Sequence, residues 1–142
     1  MDRNDIGWRG NFTAIITPFT QTGDIDAEKF QQNIDSLIQE GIDGIIATGC
    51  TGEFWSLTDE EKIRLYQLAK ESIAGRVPLL GGTSHMLTEH VIALSNRAKK
   101  EVGVDGIMVT PPFYILPNER EIYEHYSQIS TRVGLPILIY NI

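Results

Sequence analysis

Two nine-residue segments, GIDGIIATG at 41–49 and GVDGIMVTP at 103–111, repeat one pattern about two strand–helix units apart. A second pair alternates with them: GRVPLLGG at 75–82 is echoed by RVGLPILIY at 132–140. Strand entries therefore switch between an Asp-Gly type and an x-Pro type. Both residue types are common in loops, so it is the pairing of the two matches that carries weight. A doubly wound open sheet has no reason to show a two-unit period. A closed barrel of (β/α) units does, because alternate strands fill alternate layers of its interior.

The segments between these entries support an α/β chain. Apolar runs at 12–19, 44–48, 77–82, 106–110 and 135–141 are nearly continuous rather than alternating, the pattern of strands buried on both faces of a parallel sheet. Amphipathic stretches separate them. Asp26 is placed to cap a helix carrying Phe30, Ile34, Leu37 and Ile38, with Gly41 as its stop. Thr58 and Glu61 fit a capping box for a second helix burying Ile63, Leu65, Leu68, Ala69 and Ile73. Further helices are expected from about Leu87 to Glu101 and from about Glu119 to Arg132, the last with Ile122, Tyr126 and Ile129 on one face.

A TIM barrel needs roughly 250 residues, whereas the sequence given has 142 and reaches only a fifth strand. The expectation is that residues 1–142 are the N-terminal portion of a single (β/α)8 barrel domain, its first five strands and four helices. A complete five-stranded, flavodoxin-like sheet is the alternative; it would leave its last strand uncovered, and neither common phosphate-loop motif occurs. A net charge of −7 with 12 Lys and Arg, and no basic stripe, argues against nucleic acid. No apolar run has membrane-span length, and the polar start MDRNDIGWRG is unlike a signal peptide. A single cysteine makes a cytoplasmic address the default.

Parallel α/β folds bind ligands at the carboxyl ends of their strands. Here those ends read Thr17-Pro18, Gly49-Cys50-Thr51-Gly52-Glu53, Gly82-Thr83-Ser84-His85, Thr110 to Tyr114, and Tyr140-Asn141. They hold hydroxyls, backbone donors, one carboxylate and no Lys or Arg. Such a rim suits a small oxyanion, such as a carboxylate, approached closely by glycine backbone.

The combination G-C-T-G-E then S-L-T, T-P-P-F-Y with a later Pro, and Y-N-I resembles the dihydrodipicolinate synthase / N-acetylneuraminate lyase family, along essentially the whole chain. The resemblance implies a class I aldolase-type lyase acting on pyruvate or another 2-keto acid, in some reactions with an aldehyde. It implies no cofactor and no metal, and a homo-oligomer built as a dimer of dimers. A lysine on the sixth strand would form the Schiff base, an electron sink that lets the neighbouring carbon lose a proton or a C–C bond break. Tyr140 matches the proton-shuttling tyrosine. Cys50 and Thr51 match the substrate-binding pair, with Thr51 and nearby amides holding the carboxylate. Tyr114 matches the aromatic that reaches a neighbouring subunit's site. Glu53 is expected to brace the loop.

Some positions depart from the family pattern. Cys50 stands where Thr or Ser is usual, and a thiol is a weaker hydrogen-bonding relay than a hydroxyl. That favours aldolase, lyase or dehydratase relatives over dihydrodipicolinate synthase itself. Phe54-Trp55 replaces small residues, and Met86 and His90 replace polar contacts of lysine-feedback members, so no lysine inhibition is expected. Lys29, Lys62, Lys70, Lys99 and Lys100 all read as solvated helix residues, which puts the nucleophile beyond Ile142 and leaves residues 1–142 inactive alone. His85, His90 and His125 form no metal pattern and are assigned surface or cap roles. The reading from another class is a non-catalytic small-ligand-binding or interaction module.

Overall fold

The computed structural model describes residues 6–141. The first five residues of the polar N-terminal stretch and Ile142 of the Y-N-I motif lie outside the described residues. Elements alternate along the chain: β1 (Phe12–Ala14), α1 (Ala27–Gln39), β2 (Gly44–Ala47), α2 (Asp59–Ile73), β3 (Leu79–Gly82), α3 (Thr88–Arg97), β4 (Gly106–Val109), α4 (Glu119–Val133) and β5 (Ile137–Ile139). All neighbouring strands are parallel, in the order β1-β2-β3-β4-β5. A doubly wound sheet reverses its strand order at a switch point. This sheet never does, so the flavodoxin-like alternative is excluded and the fold is the first part of a TIM barrel.

The three central strands are buried on both faces. Ile45, Ala47, Leu79, Ile107 and Val109 join the helices in a large outer core with Phe30, Ile34, Leu65 and Ile129. Ile46, Leu80 and Met108, with Phe12 and Ala14 against them, form a small cluster on the opposite, inner side. That double burial is why the central strands read as unbroken apolar runs.

The sequence repeat acquires a mechanical meaning at the amino ends of the strands. Asp43 accepts a hydrogen bond from the Asn11 amide (2.7 Å), and Asp105 accepts one from the Leu79 amide (2.8 Å). Each aspartate, placed just before an even strand, thus clamps the strand preceding it. The following glycines admit close neighbours: a side chain at Gly44 would overlap the Phe12 ring, and one at Gly106 would crowd Trp8 and the Pro136 carbonyl. The x-Pro entries complete the ladder, because the Pro78 and Pro136 carbonyls accept from Ile45 and Ile107 (both 3.0 Å).

Helix ends follow the sequence. Asp26 caps α1, and Thr58 and Glu61 form the expected capping box of α2. Asn118 and Glu121 form a second box on α4, which the sequence reading did not identify. The long third helix stops being α-helical at Arg97 and continues as a π-helical turn, Ala98–Val102. Strands are shorter than the apolar runs. The first ends at Ala14, although the Ile15 amide still bonds the Ile46 carbonyl (3.1 Å). Beyond it Pro18 offers no amide, and Phe19 bridges back antiparallel to Ile25.

Candidate functional site

Parallel strands in one sheet bring their carboxyl ends to one edge. Cys50 and Thr51 follow β2, Tyr114 follows β4 and Tyr140 follows β5, so all four expected site residues lie at that edge. The turn after β2 is set by Thr48, a buried β-branched residue at φ 55°. A left-handed conformation costs a non-glycine residue about 1–2 kcal/mol. Strict alternation would aim Thr48 to the inner side with Ile46. Instead its hydroxyl lies among the helices, 2.8 Å from the Tyr66 hydroxyl on α2 and 2.9 Å from the Gly82 carbonyl. Gly49 takes the inner position in its place, where a side chain would meet Met108, Ile46 and Ala14. The turn closes through the Glu53 amide on the Cys50 carbonyl (3.0 Å). Glu53 is itself left-handed (φ 57°), and it braces the loop through its backbone. Among the described residues, the Cys50, Thr51 and Gly52 amides donate to no backbone carbonyl.

The other tips join this turn by specific bonds. The Thr17 hydroxyl donates to the Gly52 carbonyl (2.8 Å), and the Thr110 amide donates to Ser84 Oγ (3.0 Å). Phe113 meets Phe54 edge to face at 5.6 Å. The Tyr140 amide bonds the Val109 carbonyl (3.0 Å), which also accepts from the Tyr126 hydroxyl (3.1 Å). Burial raises the Tyr126 phenol to about 12, so it stays protonated as a donor. Leu138 pairs in register with the inner residue Met108, and strand alternation continued one residue past β5 would aim Tyr140 to the same side. Cys50 is half-buried and Thr51 exposed. Tyr114 is 95% exposed at φ 73°, projecting away from the other described residues.

Beside this edge lies an open cavity of about 550 Å³, lined by Phe54, Trp55, Phe113, Lys62, His85 and His90 among others. It corrects the expectation that every lysine is solvated. Lys62 is 4% exposed, because its position in the first turn of α2 faces the cavity wall rather than solvent. Its ammonium lies 3.8 Å from Asp59, which also holds His90 at 3.0 Å. Burial lowers the Lys62 pKa despite that carboxylate. His85 stacks on His90 at 3.9 Å, and burial followed by its histidine neighbour lowers its pKa too. His125 is a second correction. It sits in the interior at 3% exposure, its Nδ1 2.9 Å from the Thr88 hydroxyl, and burial disfavours its charged form. Among the described residues no three His, Cys, Asp or Glu side chains gather as a metal ion requires, and no helix is long and apolar enough to cross a membrane.

Residues 8–142 match the Dihydrodipicolinate synthetase family. The chain belongs to that family. A 4-hydroxy-tetrahydrodipicolinate synthase from Bartonella bacilliformis is 41% identical over 134 residues, covering 94% of this chain and 45% of the relative. A chloride-inhibited dihydrodipicolinate synthase from Acinetobacter baumannii, solved with pyruvate, superposes with a TM-score of 0.90 at 30% identity, over 94% of this chain and 46% of that one. The N-acetylneuraminate lyase of Mycoplasma synoviae gives a TM-score of 0.85 at 32% identity, over 95% of this chain and 47% of that one. The chain thus spans about half the length of the dihydrodipicolinate synthetase family members it matches.

In this family member, sequence reasoning missed Thr48 as a turn-setting residue, Tyr66 as its partner, and Lys62 as a buried cation. Thr48 reads as the last residue of an apolar strand, and only its positive φ reveals otherwise. Tyr66 carried one available signal: it lies between Leu65 and Leu68 on a helix whose apolar face was already assigned.

Proposed function

We propose that this chain supplies the N-terminal portion of a Schiff-base lyase that cleaves, condenses or dehydrates pyruvate-type 2-keto acids. The observation that carries the reading is the shared edge: the Gly49–Glu53 turn and Tyr140 both stand at the carboxyl ends of the strands. In this reading Thr51 and the amides of the turn hold the substrate carboxylate, and the Cys50 thiol lies beside it. A lysine on a strand following β5 adds to the keto carbon. The C–N bond forms and the carbonyl oxygen departs as water, with Tyr140 relaying protons. The iminium then accepts the electron pair released when the adjacent carbon loses a proton or its C–C bond. Tyr114, projecting from its own chain, completes the site of a neighbouring subunit in a homo-oligomer, a dimer of dimers. The pyruvate bound by the Acinetobacter relative supports the substrate class. Cys50 in place of a hydroxyl weakens the relay and points away from 4-hydroxy-tetrahydrodipicolinate synthesis as the physiological reaction.

Borohydride reduction of the full-length protein with pyruvate tests this. The expected product is one stable adduct, mapped by peptide mass spectrometry to a lysine C-terminal to Tyr140. No adduct, or an adduct confined to Lys29, Lys62, Lys70, Lys99 or Lys100, overturns the reading.

A further inference from the structure

Thr48, Tyr66 and Gly82 form a closed buried triangle that the proposed chemistry does not use. The Tyr66 hydroxyl lies 2.7 Å from the Gly82 carbonyl and 2.8 Å from Thr48 Oγ1, and Thr48 Oγ1 lies 2.9 Å from the same carbonyl. The ring of Tyr66 is fully buried and Thr48 is 1% exposed. Three oxygens thus sit at hydrogen-bond distance with only two hydroxyl protons among them. Burial raises the Tyr66 pKa, so both protons remain in place and the group acts as a donor rather than an acid. The space is as specific as the bonds. A side chain at Gly82 would collide with the Thr48 carbonyl, and one at Gly81 would meet the Tyr66 ring at 3.2 Å.

The triangle holds Thr48 in the conformation it least favours. Without those bonds, a β-branched residue at φ 55° relaxes toward the extended region. Its side chain would then swing to the inner side, which is already crowded: a Cβ at the neighbouring Gly49 would come within 3.0 Å of Met108. The left-handed residue therefore keeps a β-branched side chain off the inner cluster and sets the course of the backbone into Gly49 and Cys50.

We propose that Tyr66 is a positioning residue: its hydroxyl, acting through Thr48, holds the Gly49–Glu53 turn in its carboxylate-binding form. The ligand class rests on the lyase reading above; the effect on the turn does not.

The test uses full-length protein and the variants Tyr66→Phe, Thr48→Gly and the pair. Tyr66→Phe is expected to raise the pyruvate KM about fivefold, the effect of one lost buried hydrogen bond, with kcat within about twofold. Amide exchange should quicken at Glu53 and Phe54, whose amides close the turn on the Cys50 and Gly49 carbonyls, while the β2 and β4 amides keep their protection. Glycine takes up the left-handed conformation freely, so Tyr66→Phe should add little in the Thr48→Gly background. Unchanged exchange at Glu53 and Phe54, or full additivity in the pair, overturns the proposal. So does a loss of stability that quickens exchange everywhere alike. If wild-type protein forms no pyruvate adduct, the lyase reading fails, and the exchange measurements still decide whether Tyr66 holds the turn.

Discussion

A lysine at the wall of a cavity rarely loses almost all its exposure. Lys62 does so with one carboxylate, Asp59, at 3.8 Å, and that carboxylate is shared with His90. Burial outweighs the attraction and lowers the Lys62 pKa, so the unfolded chain binds this proton more tightly. Stability therefore rises with pH across the window between the lowered folded value and the ordinary value of 10.5. Lys62→Met, similar in length and free of charge, is expected to stabilise the protein by about 1 kcal/mol at pH 7. Its advantage should shrink as pH climbs through that window, and thermal melts at several pH values read both effects. A variant less stable than wild type at pH 7 would show that the ion pair with Asp59 outweighs the burial. Tyr140 gives a prediction of another kind. If it relays protons, Tyr140→Phe should lower kcat by about 10²-fold or more while leaving KM within a fewfold. A KM effect with normal kcat would make the phenol a binding group instead.

At the scale of elements, the two ends of the sheet do different work. The amino ends hold the structure together, and Asp105 does so twice: it accepts from the Leu79 amide and pairs with Lys70 at 3.3 Å. Asp105→Ala leaves a buried strand amide without its acceptor. It should cost about 1–3 kcal/mol with KM unchanged, read as a lower denaturant midpoint at constant slope. Asp24, with its side chain in an exposed turn, is the control. A neutral Asp105→Ala would mean that water replaces the carboxylate. The carboxyl ends, by contrast, are built from departures from regular structure: left-handed Thr48, Glu53 and Tyr114, and a single 3-10 turn at Phe54–Ser56. Loops that carry function tolerate such conformations because the strands beneath them are rigid.

At the scale of the whole molecule, the sheet formed by the described residues has two open edges, β1 and β5. The second shows apolar surface: Leu138 is 42% and Ile139 56% exposed. Half of a barrel leaves unpaired strand groups and an unfilled inner face, which is a template for association. Residues 1–142 produced alone are expected to self-associate at micromolar concentration, and Leu138→Lys with Ile139→Lys should reduce that, as light scattering would show. A concentration-independent monomer of the unmodified piece would count against this view of the edge.

Sequence alone determined the architecture, because the information is local and periodic. Unbroken apolar runs, capping residues such as Asp26 and Thr58, and the alternation of Asp-Gly with x-Pro each act within a few residues and together favour a sequential parallel sheet, whose strand order the structure then fixed. The same logic placed Cys50, Thr51, Tyr114 and Tyr140 at one edge, since strand ends follow from strand positions. Tertiary structure decided what depends on contacts between distant segments. Whether Lys62 and His125 are buried depends on which loops close over them. Whether Thr48 continues its strand or turns left-handed is set by a hydroxyl on α2 and a carbonyl on β3, groups with no mark in the segment they control.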